Sequence, residues 1–131
     1  MKVINLTPHP VHVYNEEDFE GLVQKSPTTW VAEQVSGQAI EYKSEGVARI
    51  STDTERVESS LPGETVKTTY GDANGIPQDL SGDEVLIVSL PMQSMAKQAG
   101  LASASQMVAP YKVVRLASDT SKVLGCMGFT Y

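Results

Sequence analysis

Cysteine is almost missing from this chain. Cys126 stands alone, so no internal disulfide forms and no multi-cysteine metal cluster is built. A reducing compartment, the cytoplasm, suits such a composition. Long apolar runs are missing too. The longest is Val85 to Val88, far below the ~20 residues of a membrane-spanning helix, so no membrane partner is expected. Lys2 precedes only a short apolar stretch, too brief for a signal-peptide core. Positive charge is scarce and dispersed: 10 Lys and Arg face 16 Asp and Glu, for a net charge of -6. Without a basic stripe to neutralise a phosphate backbone, extended nucleic acid is not an expected partner. A small nucleotide needs only one or two local donors and stays open.

What is present is ordinary for a soluble protein. The chain has 131 residues, 40% of them hydrophobic and 20% charged, with a mean hydropathy of -0.17. That length suits one domain over 1–131 with one core.

The pattern alternates short β-type runs with turn clusters. Residues 2–6 and 10–14 read as a first strand pair around the turn NLTPHP. Residues 15–36 read as an excursion from the sheet, opened by Asn15 as a cap and carrying the lone Trp30 as a lid or an interface anchor. Residues 38–42 and 47–51 read as a hairpin turning at Gly46, residues 52–63 as a loop, and 65–70 as a strand. Val85 to Val88 is a fully buried strand by its continuous apolar run. The spacing of Met92, Met95, Ala96 and Ala99 then predicts a helix over about 90–99, capped by Ser89, with Pro91 in its first turn and Gly100 as its stop. Residues 111–116 and 122–129 form a last hairpin. The expected fold class is α+β: a mostly antiparallel sheet with one principal helix packed on one face.

Few residues carry recognisable chemistry. His9 and His12 are three apart, which on an extended strand sends them to opposite faces. No metal site and no cofactor are therefore expected. Ser89 lacks the glycines of a nucleophile elbow and reads as a helix cap. Its helix N-terminus still offers free N–H groups to an anion, with Gln93 nearby. Arg49 and Arg115 sit among strand residues, where rigid guanidinium groups suit a phosphate or carboxylate. In NLTPHP, prolines favour extended or turn backbone before them, and Asn5 and Thr7 can satisfy turn groups. His9 has no such explanation.

On Asn5 to His9, Val47 to Arg49, Tyr70-Gly71 with Gly75-Ile76-Pro77, Ile87 to Ser89 and Gly125-Cys126, the chain resembles small bacterial and phage proteins that begin with an NLTPH hairpin. The resemblance implies a phage or prophage setting. Phage anti-defence sponge proteins, which sequester nucleotide immune signals of the host, are similar in size. The expected function is then non-enzymatic binding of such a signal, a cyclic nucleotide or an ADP-ribose derivative, by a cytoplasmic homo-oligomer. The expected ligand-binding residues are Asn5, Thr7, His9, Arg49, Tyr70, Ser89 and Arg115, with Tyr70 or Trp30 stacking on a base. Two alternatives stay open: a hydrolase or lyase acting on a phosphorylated small molecule with His9 as general base, and a module that docks on a host protein through 15–36.

Overall fold

The computed structural model describes residues 2–131. About half of the chain is strand and about an eighth helical, an α+β composition. The strands are β1 (Lys2–Asn5), β2 (Val11–Val13), β3 (Phe19–Glu20), β4 (Val23–Ser26), β5 (Thr29–Ala32), β6 (Gln34–Val35), β7 (Ile40–Tyr42), β8 (Arg49–Val57), β9 (Thr65–Asn74), β10 (Glu84–Ile87), β11 (Met107–Leu116) and β12 (Asp119–Thr130). The helix α1 covers Leu90–Gln98.

The main sheet runs β1-β10-β11-β12-β2-β7. An isolated bridge from Asn5 to Ser44, with Glu45 N–H donating to the Asn5 carbonyl at 2.8 Å, draws its two ends together, and the sheet curls partly into a barrel. It is mixed rather than mostly antiparallel. The pairs β1–β10, β10–β11, β11–β5 and β12–β2 are parallel, whereas β11–β12 and β2–β7 are antiparallel.

The best-predicted region is the most local one. In β10 and just after it, Leu86, Ile87 and Val88 are fully buried, each worth about 1.5–3 kcal/mol of burial. Ser89 Oγ accepts from Met92 N–H at 3.2 Å and caps α1. Met92 and Ala96 face a core cluster with Ile4, Leu6, Ile50 and Met107. Gly100 ends the helix at φ +72°, a conformation only glycine adopts without strain. A second cluster, of Phe19, Ala32 and Val114, is completed by Tyr14, Trp30 and Leu124.

Four expectations are corrected by the pairing. β1 and β2 do not form a hairpin: β1 pairs with β10, and β2 lies between β12 and β7. Residues 38–42 and 47–51 do not pair either, because β7 goes to β2 and β8 to β9. Residues 15–36 belong to the sheet through β5, whose Trp30 to Ala32 pair with Val114 to Leu116. The expected loop at 52–63 begins as strand, because β8 and β9 make a long two-stranded arm. The β11–β12 hairpin forms as expected.

Candidate functional site

NLTPHP is held by Asn5. Its side chain is fully buried, and its Nδ2 donates to the carbonyls of His9 at 2.9 Å and Tyr42 at 2.8 Å. Its Oδ1 accepts from Thr7 N–H at 2.9 Å, with Thr7 Oγ1 at 2.7 Å. Ser44 Oγ donates to the Thr7 carbonyl at 2.6 Å. A short polar side chain at this corner ties β1, the turn and the end of β7 together, as Asx-type turns do locally. The amide of Asn5 is thereby used up within the fold and has no hydrogen-bonding capacity left for a ligand.

The far side of this turn borders a cleft of about 670 Å³, within the size range of small-molecule sites. Thr7, His9 and His12 line it from the first turn and β2. Thr28 and Trp30 come from the β4–β5 hairpin, and Ser89 and Leu90 from the start of α1. Tyr111, Lys112, Gly125 and Cys126 line it from β11 and β12. The lining is mostly apolar and contains no Asp or Glu, although acids outnumber bases in the chain.

Lys112 gives the cleft its charge. Its Nζ lies 5.5 Å from the centroid of the Trp30 ring and 5.8 Å from that of Tyr111, cation–π geometry worth about 0.5–1 kcal/mol at an exposed site. Its backbone has φ +52° within β11, and no other non-glycine among the described residues has a positive φ. Such a residue is held off its favoured conformation by its surroundings. The ion pairs among the described residues are His12–Glu41 at 2.8 Å and Arg56–Glu64 at 4.0 Å, so neither engages Lys112.

His9 is exposed, and no side-chain hydrogen bond orients its imidazole among those of the described residues. His12 is oriented: its Nε2 meets Glu41 Oε2 across the β2–β7 pair. Both histidines line the same cleft, because the turn through Pro10 breaks the strand alternation that would separate them. Cys126 is buried in the wall, and burial pushes its thiol pKa up. It is held as a neutral thiol rather than a thiolate nucleophile. Among the described residues no group of three or more His, Cys, Asp or Glu is arranged to hold a metal ion.

Of the residues expected from the sequence, Thr7, His9 and Ser89 meet at this cleft, and Asn5, Arg49, Tyr70 and Arg115 lie outside it. Arg49 stands opposite Asn74 at the root of the arm. Tyr70 packs on the α1 cluster and donates to Gln98 Oε1. The Arg115 guanidinium donates to the Thr120 carbonyl, closing the β11–β12 turn. Gln93 is buried, its Nε2 donating to the carbonyls of Met107 and Thr130, which makes it a tie between helix and sheet. Tyr111 and Lys112 went unpredicted. A Tyr-Lys step in a hairpin strand carries no signal of its own, and the opposing Trp30 arrives from a strand some eighty positions earlier.

No family model, curated protein or solved structure matches this chain.

Proposed function

We propose that the chain binds a small nucleotide-derived ligand in the cleft and holds it without turnover, as a phage protein sequestering a host immune signal in the cytoplasm would. The observation that carries this reading is the cleft's composition: an apolar pocket free of carboxylates, with Lys112 beside Trp30 and Tyr111, in a chain of net charge -6. Aromatic faces take a planar base by stacking at about 1–3 kcal/mol per base. Lys112 and the N–H groups that open α1 at Ser89 and Leu90 offer an adjacent place for phosphate. Thr7 and His9 supply hydrogen bonds at the rim. Among the other candidates Tyr70 and Arg115 have partners of their own and Arg49 lies outside the cleft, so Lys112 takes the anion-binding role and Trp30 the stacking role.

Three of the groups at hand support binding without turnover. Ser89 Oγ is engaged as a cap, the Cys126 thiol is kept neutral, and His9 lacks the orienting partner that a general base uses. One observation favours the enzymatic alternative. His12, held by Glu41 at 2.8 Å and lining the cleft, has the orienting partner that His9 lacks, so a hydrolase or lyase would use His12. The deciding experiment is to incubate the protein with ADP-ribose or a cyclic dinucleotide, denature it and analyse the released ligand. Intact ligand recovered in stoichiometric amount supports sequestration. A converted product that disappears in His12→Ala establishes the enzyme.

A further inference from the structure

The outer part of the arm formed by β8 and β9 has no cover among the described residues. Every residue from Ser51 to Glu64 is exposed, although an isolated two-stranded ribbon is marginally stable in water. A strand of the length of β8, nine residues, reaches about 30 Å. Its outer part leaves Val57 exposed at 37% beside Asp53 and Glu55 on one face, Val66 at 48% on the other, and Leu61 at 65% toward the tip. A second apolar surface is open elsewhere on the molecule. At the cleft, Leu90, Tyr111 and Val123 are exposed at 56%, 52% and 54%, a clustering that soluble proteins ordinarily cover. The two surfaces also differ in charge. The outer arm carries Asp53, Glu55, Glu58 and Glu64 against Arg56 and Lys67, whereas the cleft lining has Lys112 and no acid.

We propose that the arm of one copy lies across the cleft of a second copy, with Val57 and Leu61 on Leu90, Tyr111 and Val123, on the ribbon face that also carries Asp53 and Glu55. The acidic outer arm then faces Lys112. The two arms are exchanged reciprocally about a two-fold axis. Such pairing closes, since each copy supplies one arm and one cleft. Doubling the contact also lets two modest patches approach the roughly 1,200 Å² of a stable interface. The partner's arm completes the wall of the cleft and shields a ligand on the Trp30–Tyr111 face from solvent. The inference rests on the same cleft as the proposed ligand site but does not require a ligand.

The test is sedimentation of the full chain without ligand through a dilution series, for wild type, Leu61→Asp and Leu90→Asp. Leu61 is exposed at 65%, and aspartate is favourable in the first turn of a helix, so both variants keep the fold, as circular dichroism will verify. Wild type is expected to be a dimer, and each substitution to weaken it by at least about tenfold, the scale of one buried apolar anchor. Mixing the two variants brings one intact arm to one intact cleft, and should restore heterodimer beyond what either forms alone. A monomeric wild type overturns the proposal, as does a dimer indifferent to either substitution or a mixture that fails to complement. A monomer that still binds nucleotide would remove the arm exchange and leave the ligand site standing. A dimer that complements but binds no nucleotide would do the reverse.

Discussion

Replacing Asn5 tests the local architecture of the site. In Asn5→Ala the carbonyls of His9 and Tyr42 lose the amide donor, and Thr7 N–H loses its acceptor. The Thr7 hydroxyl keeps a partner in the His9 carbonyl at 2.9 Å, so three hydrogen bonds disappear without replacement. At about 1 kcal/mol each, with a further ~1 kcal/mol for a carbonyl left partly buried without a partner, the loss is about 3–4 kcal/mol. That is a large share of the 5–15 kcal/mol of a typical domain. Asn5→Asp preserves size and the acceptor but turns a carboxylate oxygen toward two carbonyls. Burial among acceptors raises the pKa of that new carboxyl above its ordinary ~3.9. A raised folded-state pKa means that the ionised form is disfavoured in the fold. The Asp variant's deficit against wild type therefore grows as pH rises through that value, and shrinks when acid restores a donor. Urea unfolding monitored by far-ultraviolet circular dichroism measures both variants. A loss below about 1 kcal/mol for Asn5→Ala at an unchanged denaturant slope would refute the reasoning and return Asn5 to the pool of ligand donors.

Three further outcomes follow from the wall of the cleft. A Cβ at Gly125 would meet Tyr14 Cδ2 at 2.7 Å and the His12 carbonyl oxygen at 2.8 Å, so Gly125→Ala should cost about 1–3 kcal/mol by overpacking in a thermal or urea melt. Cys126, buried and with its thiol pKa raised by that burial, should be alkylated by iodoacetamide much more slowly in the folded protein at mildly alkaline pH than in urea. Equal rates would contradict the burial. Lys112→Gly relieves the left-handed backbone at φ +52° while removing the cation–π contacts, opposing effects of about 1 kcal/mol each. Its stability in urea should therefore stay within about 1 kcal/mol of wild type, and a larger loss would mean that the side chain does more in the fold than touch two rings.

The parts legible in the sequence are those settled by near neighbours. Ser89, Pro91, the Met92–Met95–Ala96 face and Gly100 specify a helix within a dozen positions, and Val85 to Val88 needs no partner to be recognised as buried. Strand pairing is a different matter. β1 meets β10 across some eighty residues of chain, and alternation within Val11 to Tyr14 does not encode that choice. The prolines of NLTPHP bend the chain as expected but lead β2 away from β1. The outer arm is invisible to hydrophobic patterning because neither of its faces is buried, so Thr54-Glu55-Arg56 reads as loop and forms strand. Gly46 likewise reads as a hairpin turn, and its flanks pair with β2 and β9 instead. Of the residues that line the cleft, Thr7 and Ser89 stand out because turns and caps are local chemistry, and His9 because the turn leaves it unexplained. The role proposed for Lys112 depends on a positive φ and on a ring delivered by β5, and neither leaves a local trace.

Trp30 is the sole tryptophan of the chain and lines the cleft, so its fluorescence reports directly on whether a nucleotide enters there. Titrating ADP-ribose and a cyclic dinucleotide should give a saturable change in Trp30 emission for at least one of them. His9→Ala and Lys112→Gly, both folded, should weaken that binding by about tenfold, the equivalent of ~1.4 kcal/mol. A flat titration with both nucleotides, or saturation that neither substitution alters, would contradict the assignment of this cleft as the ligand site.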